Sequence, residues 1–156
     1  MSVTRRGLDH SRFRKYTAVS VKAGVLESAT YPADTLTNAA TGEQVPDPRA
    51  GMKVATIARA LHYGIRQNHP RPFIAQAVIQ HKKEWATGFV KLAVAGVTPL
   101  NAAQQIGQVM KEDIQQSIQQ WPADNSASWA KFKGFNHGLV LTGHLTNSIE
   151  FEANKK

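Results

Sequence analysis

Apolar and polar positions change rhythm several times along this chain. Val19, Val21, Ala23 and Val25 alternate with Ser20, Lys22 and Gly24. A period of two puts one row on each face of a pleated strand, so residues 17–26 read as a half-buried strand. Between 31 and 51 the alternation gives way to Pro32, Gly42, Pro46, Pro48 and several Thr, Asn and Asp. That stretch reads as a loop of about twenty residues. Val54, Ile57, Ala58 and Leu61 then recur at helical spacing, predicting a short amphipathic helix that ends at Gly64. In "GIRQNHPRPF" each proline steers the residue before it away from helix, so an extended connector follows.

Pro72 sits where a helix tolerates proline, in its first turn. Ile74, Val78, Trp85, Phe89 and Leu92, with Ala77 beside them, form one apolar face as far as about residue 95, and Gly96 closes the helix. Thr98 and Pro99 restart the chain as N-cap and first helical residue. Leu100, Ala103, Ile106, Met110, Ile114, Ile118 and Trp121 make the next stripe, and Pro122 stops it. Residues 122–140 read as a second long loop, with Trp129, Phe132 and Phe135 at no fixed period. Ile149, Phe151 and Ala153 alternate with Ser148, Glu150 and Glu152, a closing strand whose natural partner is the first one.

These elements predict an α+β fold: a small, mainly antiparallel sheet packed by two long helices and one short helix, with two long loops. Residues 1–16 read as a basic N-terminal arm and residues 17–156 as a single domain, a length sufficient for one real core. Long structureless loops are unusual in a compact domain unless they are functional or disordered. Three aromatics argue against disorder in the second loop. A small sheet also has edges that must be covered or paired. The pattern therefore points to a fold completed in an assembly.

Charge sharpens this picture. Nineteen Lys and Arg against eleven Asp and Glu leave a net charge of +8, and the pI is near 10.0. Arg5, Arg6, Arg12, Arg14, Lys15 and Lys22 precede position 23 with only Asp9 against them. A surplus of this kind suits DNA or an acidic protein surface. In "RRGLDHSRFRKY" the basic residues are interleaved with Phe13 and Tyr16, a pattern able to contact phosphates and stack on bases. No tight-turn pair of short helices fits a sequence-reading module. The start lacks the apolar core of a signal peptide, no run is long and apolar enough to span a membrane, and the absence of cysteine excludes disulfides and thiolate chemistry and favours an intracellular origin.

Candidate chemistry is sparse. The six histidines include no pair at ligand spacing on one helix, so neither a metal nor another cofactor is expected. Glu112 and Asp113 are adjacent on a helix and diverge by about 100°. No phosphate-binding, nucleophile-elbow or dinucleotide motif occurs. The sequence is that of a non-enzyme.

Four motifs stand in a fixed order. They are Val19-Ser-Val-Lys-Ala-Gly-Val25, the helix start Pro70-Arg-Pro-Phe73, Ile106-Gly-Gln-Val-Met-Lys-Glu-Asp-Ile-Gln-Gln-Ser-Ile118, and Ser126-Ala-Ser-Trp-Ala-Lys-Phe-Lys-Gly134 followed by Leu139-Val-Leu-Thr-Gly-His-Leu-Thr-Asn-Ser-Ile149. In order and content they resemble the tail-completion and neck proteins of tailed bacteriophages, a family that includes head-tail connectors and tail-terminator-like proteins. The resemblance implies a structural virion protein at the neck or tail end, made in the host bacterial cytoplasm. It implies a homo-oligomeric ring, six copies by the family pattern, that joins head and tail, contacts neighbouring neck and tail-tube proteins, and lets genomic DNA pass its lumen. On that reading Arg71, Pro72, Phe73, Thr142, Gly143 and Ser148 define the fold, with Thr142-Gly143 turning the chain sharply into the last strand. Trp129, Lys131, Phe132, Lys133 and Phe135 form an assembly loop. Arg5, Arg6, Arg12, Arg14 and Lys15 face DNA or an acidic partner. The alternative is a sequence-nonspecific nucleic-acid-binding protein of a mobile element.

Overall fold

A computed structural model of the protein describes residues 10–66 and 68–156, without the side chains of His10 and Arg12. A 3-10 helix, His10–Ala18, leads into β1 (Val19–Val25), β2 (Thr35–Thr37) and β3 (Gln44–Pro46). Five helices follow: α1 (Val54–Tyr63), α2 (Phe73–Val94), α3 (Pro99–Gln119), α4 (Ala127–Lys133) and α5 (His144–Asn147). The chain closes with β4 (Ile149–Lys155). The class is α+β, dominated by the two long helices.

The first and last strands pair antiparallel, with Val19 opposite Lys155 and Val25 opposite Ile149. Their matching alternation accounts for this, because directly opposed residues share a face. Val21 and Ala153, Ala23 and Phe151, and Val25 and Ile149 make the apolar row, and α3 packs against the ribbon. Gly107 lies beneath the Phe151 ring, where any Cβ would collide with it. On its other side α3 meets α2, which runs back along it. Trp85 Nε1 donates to Asp113 Oδ2 across that interface at 2.6 Å. Glu112, one residue away, instead accepts from Gln108, so the two neighbouring carboxylates do diverge.

Phe73, Ile114, Ile118, Ile149 and Val54 are the largest fully buried side chains, and Tyr31, Ala58, Ala77, Leu139 and Leu145 complete the main core. A second cluster joins Tyr16 to Ala93 and Ala102, with Phe13, Phe89, Leu92 and Val97 packed against it. The Tyr16 hydroxyl donates to the carbonyls of Val97 and Ala93. The chain just after the basic segment is thereby docked on the far end of the helical hairpin. The expected arm boundary at residue 16 falls inside the 3-10 helix.

Both expected long loops contain regular structure. Within 31–51, β2 and β3 form a small hairpin in which Thr35 faces Pro46 and Leu36 faces Val45. Three-residue strands are too short to show alternation, and only Leu36 is buried. Within 122–140, Ser126 caps α4 by accepting from Trp129 N–H at 3.3 Å, and Gly134 ends it in the left-handed region. Seven residues span under two turns, so the three-residue spacing of Trp129 and Phe132 was the only periodic trace of that helix. Pro72 is the N-cap of α2 rather than a residue of its first turn. The bend at Thr142-Gly143 does not feed the last strand directly: Gly143, at φ 76°, opens the single turn α5, and β4 follows that.

Candidate functional site

The most connected polar site grows from the proline-bracketed residue Arg71. Pro70 and Pro72 hold the backbone extended there, and Arg71 N–H donates to Leu61 O at 2.8 Å, tying the connector to α1. The guanidinium is buried and points at Asp124, with Nε 2.9 Å from each carboxylate oxygen and Nη2 3.2 Å from the Asp124 carbonyl. Trp121 Nε1 donates to Asp124 Oδ2 at 2.9 Å, and His69 Nε2 lies 2.7 Å from the same oxygen. Burial pushes the Asp124 carboxyl up, but the hydrogen bonds from His69, Trp121 and Arg71 and the Arg71 charge outweigh it and hold the group below its ordinary value. A carboxylate so saturated with donors is a poor proton acceptor. Its evident work is to fasten the segment after α3 to the entrance of α2.

An open cleft of about 590 Å³ lies over this network, lined by His69, Arg71, Asp124, Ser126 and Trp129 among others. The Ser126 hydroxyl is engaged at the α4 cap. A second lock of the same design holds the β2–β3 hairpin. Arg49 Nε and Nη2 bond Asp47 at 2.9 and 2.7 Å, and the guanidinium lies 4.4 Å above the Tyr31 ring. The Arg49 bonds hold the Asp47 carboxyl down against burial, while burial pushes the Tyr31 phenol up. The Asp124 joint is not legible in the sequence, because its arginine lies fifty-three positions away.

The motif residues meet one another. Phe73 is fully buried and its carbonyl accepts from Ser117 Oγ at 2.9 Å, joining the start of α2 to the end of α3. Ser148 Oγ donates to His144 O at 2.8 Å and closes α5. Thr142 is exposed at the bend.

The expected assembly loop is a helical ledge. Trp129 and Phe132 stack with centroids 5.0 Å apart and planes 5° from parallel. Trp129, Phe135 and Lys131 are exposed, and Phe132 is half-buried. Lys133 is different, because it is buried. Its Nζ donates to His137 O at 2.5 Å and sits 4.7 Å from the Phe135 ring centre, and burial pushes the amine down. It is engaged inside the chain and does not belong with the outward-facing residues. Arg5 and Arg6 lie outside the described residues, as does the Arg12 side chain, while Arg14 and Lys15 are exposed. Buried Tyr16 cannot stack on a base in this arrangement.

Apolar surface left outside was not anticipated. On α2, Ile79 is 72% exposed, Val90 58% and Val94 59%. With Ala86 these lie opposite the core side of the helix. They lie beside a polar flank of Gln80, Lys83, Glu84, Thr87 and Lys91, so the exposed side of α2 is mixed apolar and charged.

Among the described residues no group of three or more His, Asp or Glu side chains is placed to hold a metal ion. Among them also, no helix is long and apolar enough to cross a membrane. No family model matches the chain, and neither does any curated protein or solved structure.

Proposed function

We propose that the protein is a structural subunit of a tailed-phage virion, a neck or tail-completion component that assembles into a ring joining head to tail. The observation that carries this is the four-motif series in family order, whose buried residues serve as joints between elements. Phe73 meets Ser117, Gly107 meets Phe151, and Arg71 meets the segment leading to α4. Residues that build joints rather than a reaction centre suit a building block. The exposed apolar face of α2 and the Trp129 ledge are surfaces of the kind that neighbours cover. Contacts between unlike surfaces close into a ring when rotation brings the last copy to the first.

Size-exclusion chromatography with light scattering, followed by negative-stain imaging, tests the reading. Closed rings with a central channel are expected. A chain that is monomeric at all concentrations and also in assembled particles would refute it.

Nucleic-acid binding is the second reading, favoured by the net charge of +8 and by exposed Lys82, Lys83 and Lys91 on α2. Deleting residues 1–16 would remove buried Tyr16 and weaken the fold. Replacing Arg5, Arg6, Arg12, Arg14 and Lys15 by Gln is therefore the discriminating change. If this abolishes a steeply salt-dependent DNA affinity while particles still join heads to tails, DNA binding is the main role.

A further inference from the structure

Among the described residues the β1–β4 ribbon is only two strands wide, so each strand keeps one edge that no described strand covers. Seven residues of each strand pair across the ladder. Beyond it, among the described residues, the ladder is extended only by Lys156 N–H to Ala18 O at one end. Two-stranded ribbons are marginal by themselves, and uncovered edges are templates for another strand. α3 backs one face and leaves the sheet free to grow sideways.

The charges on the other face differ between the strands. β1 carries Lys22, and β4 carries Glu150 and Glu152. Glu150 is engaged by Lys111 Nζ at 2.9 Å. Lys22 and Glu152 stand directly opposite in register, both exposed, yet no ion pair joins them.

We propose that the free edge of β1 in one copy pairs antiparallel with the free edge of β4 in the next, so that Lys22 faces Glu152 of its neighbour and one sheet runs through the assembly. The two edges belong to strands that already complement each other within the chain, in length, in apolar row and in charge. The contact joins unlike surfaces, so it repeats from copy to copy and closes by rotation. This rests on the ring reading above and names the surface that would make the ring.

The test uses the full chain, Lys22→Glu, Glu152→Lys, an equal mixture of those two, and the double variant, each followed by sedimentation velocity with circular dichroism to check folding. Each single variant puts like charges across every contact and is expected to raise the half-assembly concentration about tenfold. When the two single variants alternate in the mixture, every contact again joins opposite charges, and the double variant does so in a single species, so both are expected to assemble like the unaltered protein. If single variants that are folded assemble normally, or if the mixture stays dissociated, edge pairing is wrong while the ring reading survives. If the unaltered chain never assembles, the ring reading itself fails. Hydrogen exchange on the unaltered protein needs no variant. Amides in 19–25 and 149–155 should gain at least about tenfold protection between dilute and assembled samples, and unchanged protection there would overturn the proposal.

Discussion

Two regions of this molecule are held together in opposite ways. The layer of α2, α3 and the β1–β4 ribbon is fixed mainly by apolar side chains: Phe73, Ala77, Ile114, Ile118 and Ile149 are all within 1% of complete burial. The segment from Trp121 to Gly143 is fixed mainly by polar groups. Asp124, Asn125, Lys133 and His137 each bond across the segment or to its surroundings, and its aromatic ledge faces out. Apolar packing carries no titrating group, whereas charge-assisted bonds depend on protonation. The first region is therefore a fixed frame. The second is a surface whose position depends on a few titratable joints, which suits a part that meets neighbours.

The largest effect should come from breaking the frame. Phe73→Ala removes a fully buried ring beneath both long helices and should cost about 3–5 kcal/mol in urea unfolding. A cost under about 1 kcal/mol would mean that the frame is not centred there. Next comes the joint between the regions. Asp124→Asn leaves the buried Arg71 guanidinium without its charge partner and should cost about 2–3 kcal/mol, less than a fully buried pair because Asp124 keeps some solvent contact. Limited proteolysis should then cut first between residues 121 and 143, with α2 and α3 still protected. Simultaneous loss of both regions would show that they are one cooperative unit.

The contrast also explains what could be read from sequence. The frame was legible because long elements repeat their period: the two twenty-residue stripes give α2 and α3, and matched alternation at the two ends gives the β1–β4 ladder. Helix ends were legible where local chemistry decides them, as at Thr98, whose side chain accepts from Asn101 N–H. The second region reads as loop because seven residues of α4 carry too little period. Its joints were invisible because Arg71 and Asp124 are fifty-three positions apart, and nothing local ties a carboxylate to a distant guanidinium. Lys133 was misplaced for a related reason: a lysine between aromatics looks exposed until the chain folds its amine onto the carbonyl of His137.

A smaller effect separates the regions by pH. Asp124 and Asp47 both have carboxyls held below the ordinary 3.8 in the folded chain. A depressed carboxyl stabilises the fold fully above its unfolded value, and that contribution disappears as pH falls through the folded value. The share of stability from these two carboxyls should thus be constant from neutrality down to about pH 4 and drop below it. In Asp124→Asn the drop should be shallower, with the Asp47 share remaining. An unchanged acid limb in that variant would remove the polar joint from the account.

The smallest effect on folding, and the most telling for function, concerns the ledge. Trp129 is 39% exposed and rests on Phe132. Trp129→Ala deletes a stacked, partly exposed ring outside both core clusters, so unfolding free energy should change by no more than about 1 kcal/mol. Assembly should respond differently, because exposed aromatics at a contact supply much of its energy, and truncating one commonly costs more than about 1 kcal/mol of association. The ratio of the two effects is the quantity to measure, by urea unfolding of the monomer and by the half-assembly concentration of the oligomer. A variant that assembles normally but folds poorly would return Trp129 to the frame. One that folds normally but assembles poorly assigns the polar-jointed region to the outside of the subunit, where a neighbour completes what the chain alone leaves open.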